Sequence, residues 1–314
     1  MSPSYRAVNY GVRAAKSIER KLIAEALLRL DRLSPIEAYR YIGFGSVFFT
    51  DFLLFHRVLG ISAMTNIEEH MQDEERFRFN VPLGAIDLRF GHSNQLLPKL
   101  NWSATTIVWL DYDGQLDAAV LADVETVASS IGRASVLIVT VNAQPMATFK
   151  PGERVSALRD KVGRERIPLG IEADGHLANW RLAAVSRRII GAAIERALAD
   201  RNAPLPVAER LRYRQIFNFR YADGPKMMTT GGIFFHDADV EALEGCQFAS
   251  LSQVVDGEVP FEVKVPVLTA REVLWLNAQL PTEDPVSAPG VPPADCEAYA
   301  RVHRHYPLYL DVEV

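Results

Sequence analysis

Glycines and an acidic residue follow two successive apolar segments in the first quarter of the sequence. Gly43 and Gly45 lie in the string YIGFGS, and Glu68 lies in NIEE, at the end of the next apolar run. Because glycine has no Cβ, backbone amides at such a turn can come close to a ligand. A carboxylate can accept hydrogen bonds from both hydroxyls of a ribose, and Glu68 follows Gly43 near the offset of ~20 residues that is typical of a ribose-binding acid. The spacing predicts a nucleotide site.

The position of a third glycine decides between two kinds of nucleotide. In the dinucleotide fingerprint G-x-G-x-x-G, the third glycine allows close packing beside a pyrophosphate, and Phe48 occupies that position here. A bulky residue at this position favours a ligand without a pyrophosphate, such as S-adenosylmethionine, over NAD. An NAD-dependent oxidoreductase is therefore the weaker alternative.

Two further carboxylates, Asp111 and Asp113, lie in the string LDYDG, after a long apolar run. Either carboxylate could take a proton from a hydroxyl group as a general base, and we predict both as catalytic residues. Together with Asn142, which follows another apolar run, they are also weak candidates for the oxygen ligands of a Mg²⁺ ion. The plainer alternative is that Asp113 forms a turn with Gly114 while Asp111 caps the next helix.

These residues need a scaffold, and the surrounding sequence predicts an α/β fold. Strand-like segments that are apolar throughout alternate with helical patterns, which is typical of a parallel sheet covered on both faces. The predicted strands lie in residues 38–46, 61–68, 85–93, 105–114 and 134–143, where the first segment ends in a glycine turn and the fourth leads to an acidic turn. Their carboxyl ends lie at one edge of a Rossmann-like sheet, so the glycine turn, Glu68 and the acidic string are expected to meet there. A turn at Asp223, Gly224 and Pro225 predicts a hairpin over residues 212–235.

Composition and charge argue against several functional classes. The net charge is −5 and the pI is about 5.9, which disfavours a protein that coats nucleic acid through bulk charge. The basic segments 12–21 and 209–214 could bind phosphate groups, although a solvated helix face is the simpler interpretation. The two cysteines, Cys246 and Cys296, lack the spacing of zinc ligands. The longest apolar run, 134–141, is too short to cross a bilayer, so we expect a cytoplasmic protein without membrane contact.

Five segments of the sequence resemble the class I S-adenosylmethionine-dependent methyltransferases: YIGFGS, NIEE, FGHS, IVWLDYDG and QIFNFRYADGPKMMTTGGIFF. The resemblance covers residues 38–235 and implies an α/β, Rossmann-like sheet of seven strands, whose antiparallel last strand enters through a hairpin. The predicted organisation is an N-terminal helical segment over the fold (1–37), a Rossmann-like methyltransferase domain (38–235) and a C-terminal extension (236–314). Residues 148–178 are interpreted as a lid insert within the domain.

The resemblance also implies which residues bind S-adenosylmethionine. The residues implied for its methionine part are Gly43, Phe44, Gly45 and Ser46. Glu68 would hold the ribose, and Asp111 would lie near the methyl group or the amino end. His92 and Ser93, after the third strand, would lie beside the adenine.

The resemblance favours oxygen as the methyl acceptor. Amino-directed nucleic-acid methyltransferases carry two prolines after the Asn or Asp of this motif, and LDYDG has none. C5-cytosine enzymes need a Pro-Cys nucleophile there, and neither cysteine of this chain lies nearby. Metal-dependent O-methyltransferases have a second acid at the position of Val141, so a Mg²⁺ ion is not the favoured interpretation.

The basic N-terminal segment leads to a hypothesis about the acceptor. Methyltransferases of this class often fold N-terminal residues over the cofactor, and four basic residues could then bind a small or acidic acceptor, with nucleic acid less favoured. These residues are Arg13, Lys16, Arg20 and Lys21. A different functional alternative is that the fold serves as a nucleotide-binding or scaffold module without methyl transfer.

Overall fold

Eight strands form one sheet in the computed structural model, which describes residues 12–147 and 150–307. The strands are β1 (Arg40–Gly43), β2 (Ala63–Glu68), β3 (Ile86–Phe90), β4 (Thr106–Gln115), β5 (Val136–Asn142), β6 (Arg212–Ala222), β7 (Lys226–Phe235) and β8 (Phe261–Val263). Their order across the sheet is β3-β2-β1-β4-β5-β7-β6-β8. Strands β1 to β5 pair in parallel, and β7 runs antiparallel to both of its neighbours, β5 and β6.

Strands β1 to β7 confirm the predicted α/β, Rossmann-like sheet with an antiparallel last strand. The predicted hairpin is present, and its register runs from the pair Arg212–Phe235 to the pair Ala222–Lys226. The sheet differs from the prediction by the additional strand β8, which pairs in parallel with β6. A three-residue strand is too short to show a period of two in the sequence, so β8 could not be recognised there.

The sheet is covered on both faces, as apolar strands require. The helices in the described ranges are α1 (Ala14–Leu27), α2 (Thr50–Leu59), α3 (Glu74–Asn80), α4 (Ser93–Leu96), α5 (Ala118–Ser130), α6 (Glu153–Val162), α7 (Arg181–Asn202), α8 (Val240–Gly245), α9 (Ala270–Asn277) and α10 (Pro293–Val302). Alternate residues of β4 point to opposite faces. Ile107 and Trp109 pack in the core that contains α1 and α2, whereas Val108 and Leu110 pack in the core that contains α5 and α7.

The acidic string lies on a strand and does not form the turn that was considered from the sequence. Strand β4 extends through Asp111 and Asp113 to Gln115, with a register irregularity between Asp111 and Gln115. Helix α5 is instead capped by Asp117, whose side chain accepts a hydrogen bond from the backbone nitrogen of Val120 at 2.9 Å. The structural alternative for Asp111 as a helix cap is therefore wrong.

Part of the segment predicted as a lid forms α6. This helix packs Val155, Leu158 and Val162 into the core beneath α5 and α7. Residues 148 and 149 of the segment lie outside the described residues. Its function as a lid stays a prediction.

The C-terminal extension contains a small apolar cluster of its own. Leu276 of α9 and Tyr299 of α10 are buried there, and Tyr299 donates a hydrogen bond to Asn277 at 2.7 Å. Residues 1–11 of the predicted N-terminal segment and 308–314 of the extension lie outside the described residues. Within the described ranges, the helices are too short or too polar to cross a membrane.

Candidate active site

A cavity of about 290 Å³ opens at the carboxyl ends of β1, β2 and β4. Parallel α/β sheets bind ligands at this edge, where loops and helix starts expose polar groups. Six predicted site residues line the cavity: Phe44, Ser46, Glu68, Ser93, Asp111 and Asp113. The sheet edge thus brings together residues that are up to 69 positions apart in the sequence.

Neighbouring side chains leave no room for a Cβ at either glycine of YIGFGS. A Cβ on Gly43 would lie 2.7 Å from Cζ of Tyr41, and a Cβ on Gly45 would lie 2.6 Å from Cε2 of Phe52. The Gly45 amide also donates a hydrogen bond to Oδ1 of Asn66 at 2.6 Å. Side chains of the protein therefore occupy the space beside both α-carbons, and the predicted contact of these glycines with the cofactor stays a prediction.

Glu68 presents a buried carboxylate at the end of β2. The residue is 9% exposed, and burial raises the pKa of its carboxyl group. The backbone nitrogen and Nδ1 of His70 lie 2.8 and 2.7 Å from the same oxygen, Oε1. In the part of the chain that the structure describes, Oε2 has no such contact and remains available to accept from a ligand. These contacts orient the carboxylate, which is what recognition of a diol needs.

His92 and Ser93 have different surroundings. The His92 side chain is 67% exposed and lies 3.4 Å from Glu69, and it is not among the cavity-lining residues. Ser93 lines the cavity, but its hydroxyl donates to Asp123, which also accepts from the Tyr112 hydroxyl at 2.6 Å. Burial raises the pKa of the Asp123 carboxyl group. Ser93 thus fixes the cavity wall against α5, whereas His92 lies outside the cavity.

Asp111 is paired with a lysine from α1. Lys16 Nζ lies 2.9 Å from Asp111 Oδ1, and Lys16 itself is 4% exposed. Arg20, one helical turn later, is also buried and lines the cavity. The interpretation of this segment as a solvated helix face is therefore wrong for both residues. The signal available in the sequence was the i, i+4 spacing of the two cations beside the apolar stripe of α1.

Asp51 is a cavity residue that sequence reasoning missed. It lies in the first turn of α2, directly after the glycine loop, and accepts a hydrogen bond from the Tyr41 hydroxyl. Burial raises the pKa of the Asp51 carboxyl group, although the nearby Arg20 charge lowers it. An acid in the first turn of the helix after a glycine loop was the signal that could have identified this residue.

The three weak candidates for Mg²⁺ ligands do not share one cavity. Asp111 and Asp113 line the cavity at β4, whereas Asn142 lines a separate, smaller one and accepts a hydrogen bond from the backbone nitrogen of Gln144 at 2.8 Å. Over residues 12–147 and 150–307, no group of three or more His, Cys, Asp or Glu side chains is arranged to hold a metal ion. The observed arrangement therefore gives no support to the metal site.

Several solved structures have a similar chain path. Trm1 from Pyrococcus horikoshii, in complex with S-adenosyl-L-methionine, matches with a TM-score of 0.47 and 13% identity, covering 76% of this chain and 60% of that chain. The O-methyltransferase from Bacillus cereus, in complex with SAH, matches with a TM-score of 0.36 and 15% identity, covering 67% of this chain and 80% of that chain. The present chain thus spans about 60% of the length of Trm1. Similarities at these TM-scores carry no functional argument.

The sequence itself identifies the family. No curated protein matches the chain at a significant level. A family described as "Putative O-methyltransferase" matches residues 8–314, which is nearly the whole chain. The match agrees with the resemblance inferred from the five sequence segments and with the order of strands in the sheet. The chain therefore belongs to this O-methyltransferase family.

Proposed function

We propose that this protein is an S-adenosylmethionine-dependent methyltransferase that acts on an oxygen atom of its acceptor. The observation that carries the proposal is the Glu68 carboxylate, buried at the end of β2 in a cavity at the carboxyl edge of the sheet. Its position is the one at which a Rossmann-like fold binds a ribose. Family membership supports methyl transfer to oxygen as the reaction.

The cavity residues suit the parts of S-adenosylmethionine. Glu68 would accept from the ribose hydroxyls, and Phe44 and Ser46 would flank the methionine part beside the start of α2. Asp111 would face a positively charged group, since it is a carboxylate on the cavity wall. When bound, the cofactor supplies a methyl group on a positively charged sulfur.

Asp111 and Asp113 have separate roles in this proposal. Asp111 is held by Lys16 at 2.9 Å at the wall of the cavity, so it is suited to binding a positively charged group. Asp113 is exposed at the mouth of the same cavity, where an acceptor hydroxyl can reach it. We assign Asp113 as the general base that takes the hydroxyl proton. The acceptor is a small or acidic molecule in this proposal, and a cytoplasmic location stays a prediction.

Calorimetry with S-adenosylmethionine, S-adenosylhomocysteine and NAD tests the proposal. We expect both adenosyl ligands to bind and NAD not to bind. Glu68→Gln should weaken both adenosyl ligands about tenfold or more, because an amide cannot accept from two hydroxyls as a carboxylate does. Glu75→Gln, a matched change at an exposed residue of α3, should leave both affinities unchanged.

Two outcomes of this experiment contradict parts of the proposal. Failure of the wild-type protein to bind either adenosyl ligand at high micromolar concentration would remove the methyltransferase assignment. Unchanged affinity in Glu68→Gln would mean that the ribose lies elsewhere. Release of S-adenosylhomocysteine in the presence of cell extract, with and without Mg²⁺, separates an enzyme from a scaffold module, because a scaffold binds the cofactor without turnover.

A further inference from the structure

A buried ammonium group lies directly behind the wall of the cofactor cavity. Nζ of Lys16 lies 2.9 Å from Asp111 Oδ1 and 2.9 Å from Glu19 Oε2. The centroids of the Trp109 and Tyr221 rings lie 4.5 and 5.7 Å from the same nitrogen. A lysine enclosed by two carboxylates and two rings cannot reach an acceptor in solvent. Its function must therefore act through the groups that surround it.

One cation thus serves two carboxylates. Glu19 is completely buried, and its second oxygen accepts a hydrogen bond from the Thr229 hydroxyl. Asp111 is different, because its side chain is 26% exposed and lines the cavity. Burial raises the pKa of the Glu19 carboxyl group, and the nearby Lys16 charge acts against that shift. When both carboxylates are ionised, Lys16 neutralises only one of the two negative charges. The remaining negative charge lies beside the cavity, where a cationic ligand would complete the pairing.

We propose that Lys16 is a positioning residue that keeps Asp111 and Glu19 ionised together, so that Asp111 receives the cationic end of S-adenosylmethionine without first losing a proton. The inference rests on the proposed function, because it requires Asp111 to face the cofactor. Lys16 itself touches neither the cofactor nor the acceptor in this arrangement.

The physical reason is the repulsion between two buried carboxylates. Without a cation between them, one of the two must bind a proton, and the pair then titrates as a unit. Other titratable groups face this cluster from several elements: Arg20 of α1, Tyr41 of β1, Asp51 of α2 and Tyr221 of β6. Arg20 is the one further cation among these groups, and its charge lowers the pKa of Asp51. Lys16 is therefore the cation that bridges Asp111 and Glu19.

Proton counting tests this role in the full-length protein. Calorimetry of S-adenosylmethionine binding in buffers of different ionisation enthalpy measures the protons released. We expect Lys16→Met to release about one proton more than the wild type, because the bound cation expels the proton that the two carboxylates share. Its affinity should rise about tenfold per pH unit over the range in which that proton titrates.

Three variants isolate the effect. Lys16→Met/Glu19→Gln removes the second carboxylate, so its proton count should return to the wild-type value. Lys16→Arg keeps the cation and should also match the wild type. Lys99→Met makes the same change at an exposed lysine that does not line the cavity, and should alter neither count nor affinity.

Two results would overturn the role of Lys16. An unchanged proton count and pH dependence in folded Lys16→Met would do so, as would extra proton release that persists in the double variant. If Lys16→Met does not fold by circular dichroism, Lys16→Gln asks the same question with a neutral side chain of similar length. Absence of cofactor binding by the wild type would instead contradict the proposed function, so the two failures are distinguishable.

Discussion

Gly45 illustrates how a single residue links the cavity to the core. Its amide is held by Asn66 of β2, and its missing Cβ makes room for the Phe52 ring of α2. The loop between β1 and α2 can therefore lie close to both neighbouring elements. Because Phe44 precedes and Ser46 follows Gly45 in the same loop, the packing of Gly45 also determines where these two cavity residues lie.

Gly45→Ala should destabilise the protein by overpacking. The new Cβ would come within 2.6 Å of Phe52 Cε2 and 3.0 Å of Asn66 Oδ1, so the loop must shift. We expect the free energy of unfolding to fall by about 1–3 kcal/mol, measured by urea denaturation, and cofactor affinity to fall with it. Gly84→Ala, where an added Cβ meets no atom within 4 Å, is the matched control. Equal stability of the two variants would contradict the packing argument.

At the scale of elements, α1 depends on a contact far away in the sequence. The helix has no capping side chain of its own at Arg13. Instead, the Asp223 carboxylate in the β6–β7 turn accepts hydrogen bonds from the backbone nitrogens of Ala15 and Lys16, at 3.1 and 2.8 Å. A carboxylate at a helix start satisfies exposed N–H groups and complements the helix dipole. The turn of the hairpin thus holds the helix that carries Lys16.

Asp223→Ala should loosen α1 without unfolding the sheet. Loss of the two hydrogen bonds should cost about 1 kcal/mol of stability, and the backbone amides in the first turn of α1 should exchange faster with deuterium. S-adenosylmethionine should bind more weakly, because Lys16 loses its fixed position. Asp256→Ala, at an exposed residue, should change none of these quantities. Unaltered exchange in α1 would show that other contacts dock this helix.

At the scale of the whole molecule, the C-terminal extension closes onto α1. Glu25 of α1 accepts from Arg304 at 2.7 Å, and His305 Nε2 lies 3.1 Å from its other oxygen. Gln253 donates to that second oxygen at 2.9 Å. The Glu25 carboxylate therefore contacts three side chains of the C-terminal extension, those of Gln253, Arg304 and His305. Through these contacts the extension supports α1, the helix that lines the cofactor cavity.

This junction should weaken as the pH falls. Burial acts to raise the pKa of Glu25, but the hydrogen bond from His305 and the charge of Arg304 outweigh it, and the net pKa is lowered. Burial lowers the pKa of His305 below its usual value of 6.5. Both groups therefore stabilise the folded state fully above their unfolded pKa values of 6.5 and 4.5. Each contribution is lost as the pH falls below that value and through the lowered pKa of the folded state.

Hydrogen exchange of α10, corrected for intrinsic rates, measures this pH dependence. Protection should decrease between pH 7 and pH 3, and Glu25→Gln should lower protection at pH 7 and remove the part of the decrease that falls below pH 4.5. Glu297→Gln, whose partner Arg301 lies on the same exposed helix face, is the control. A wild-type profile that is already flat would contradict the assignment.

The sheet could be predicted from the sequence, whereas the wall formed by α1 could not. Apolar runs in the local sequence determine β1, β2, β4 and β5. Because these strands are parallel, their carboxyl ends lie at one edge of the sheet. The edge that carries Glu68 and Asp111 therefore follows from the sequence pattern alone. The position of Lys16 and Arg20 at the cavity depends on where α1 docks, and one contact that fixes it, the hydrogen bonds to Asp223, is not encoded by any local pattern. The exposure of His92 could not be predicted, because a residue after a strand can face either the cavity or solvent.

The contact between α1 and Asp223 also sets an order of events in folding. Helix α1 is synthesised before the strands of the sheet, but its carboxylate partner Asp223 is 208 residues further along the chain and emerges only with the β6–β7 hairpin. Contacts of such sequence separation form late, since a long loop must close first. A growing chain can therefore assemble β1 to β5 while the cofactor cavity still lacks one wall. Competence to bind the cofactor should appear as a late event during synthesis, after the hairpin has added to the sheet.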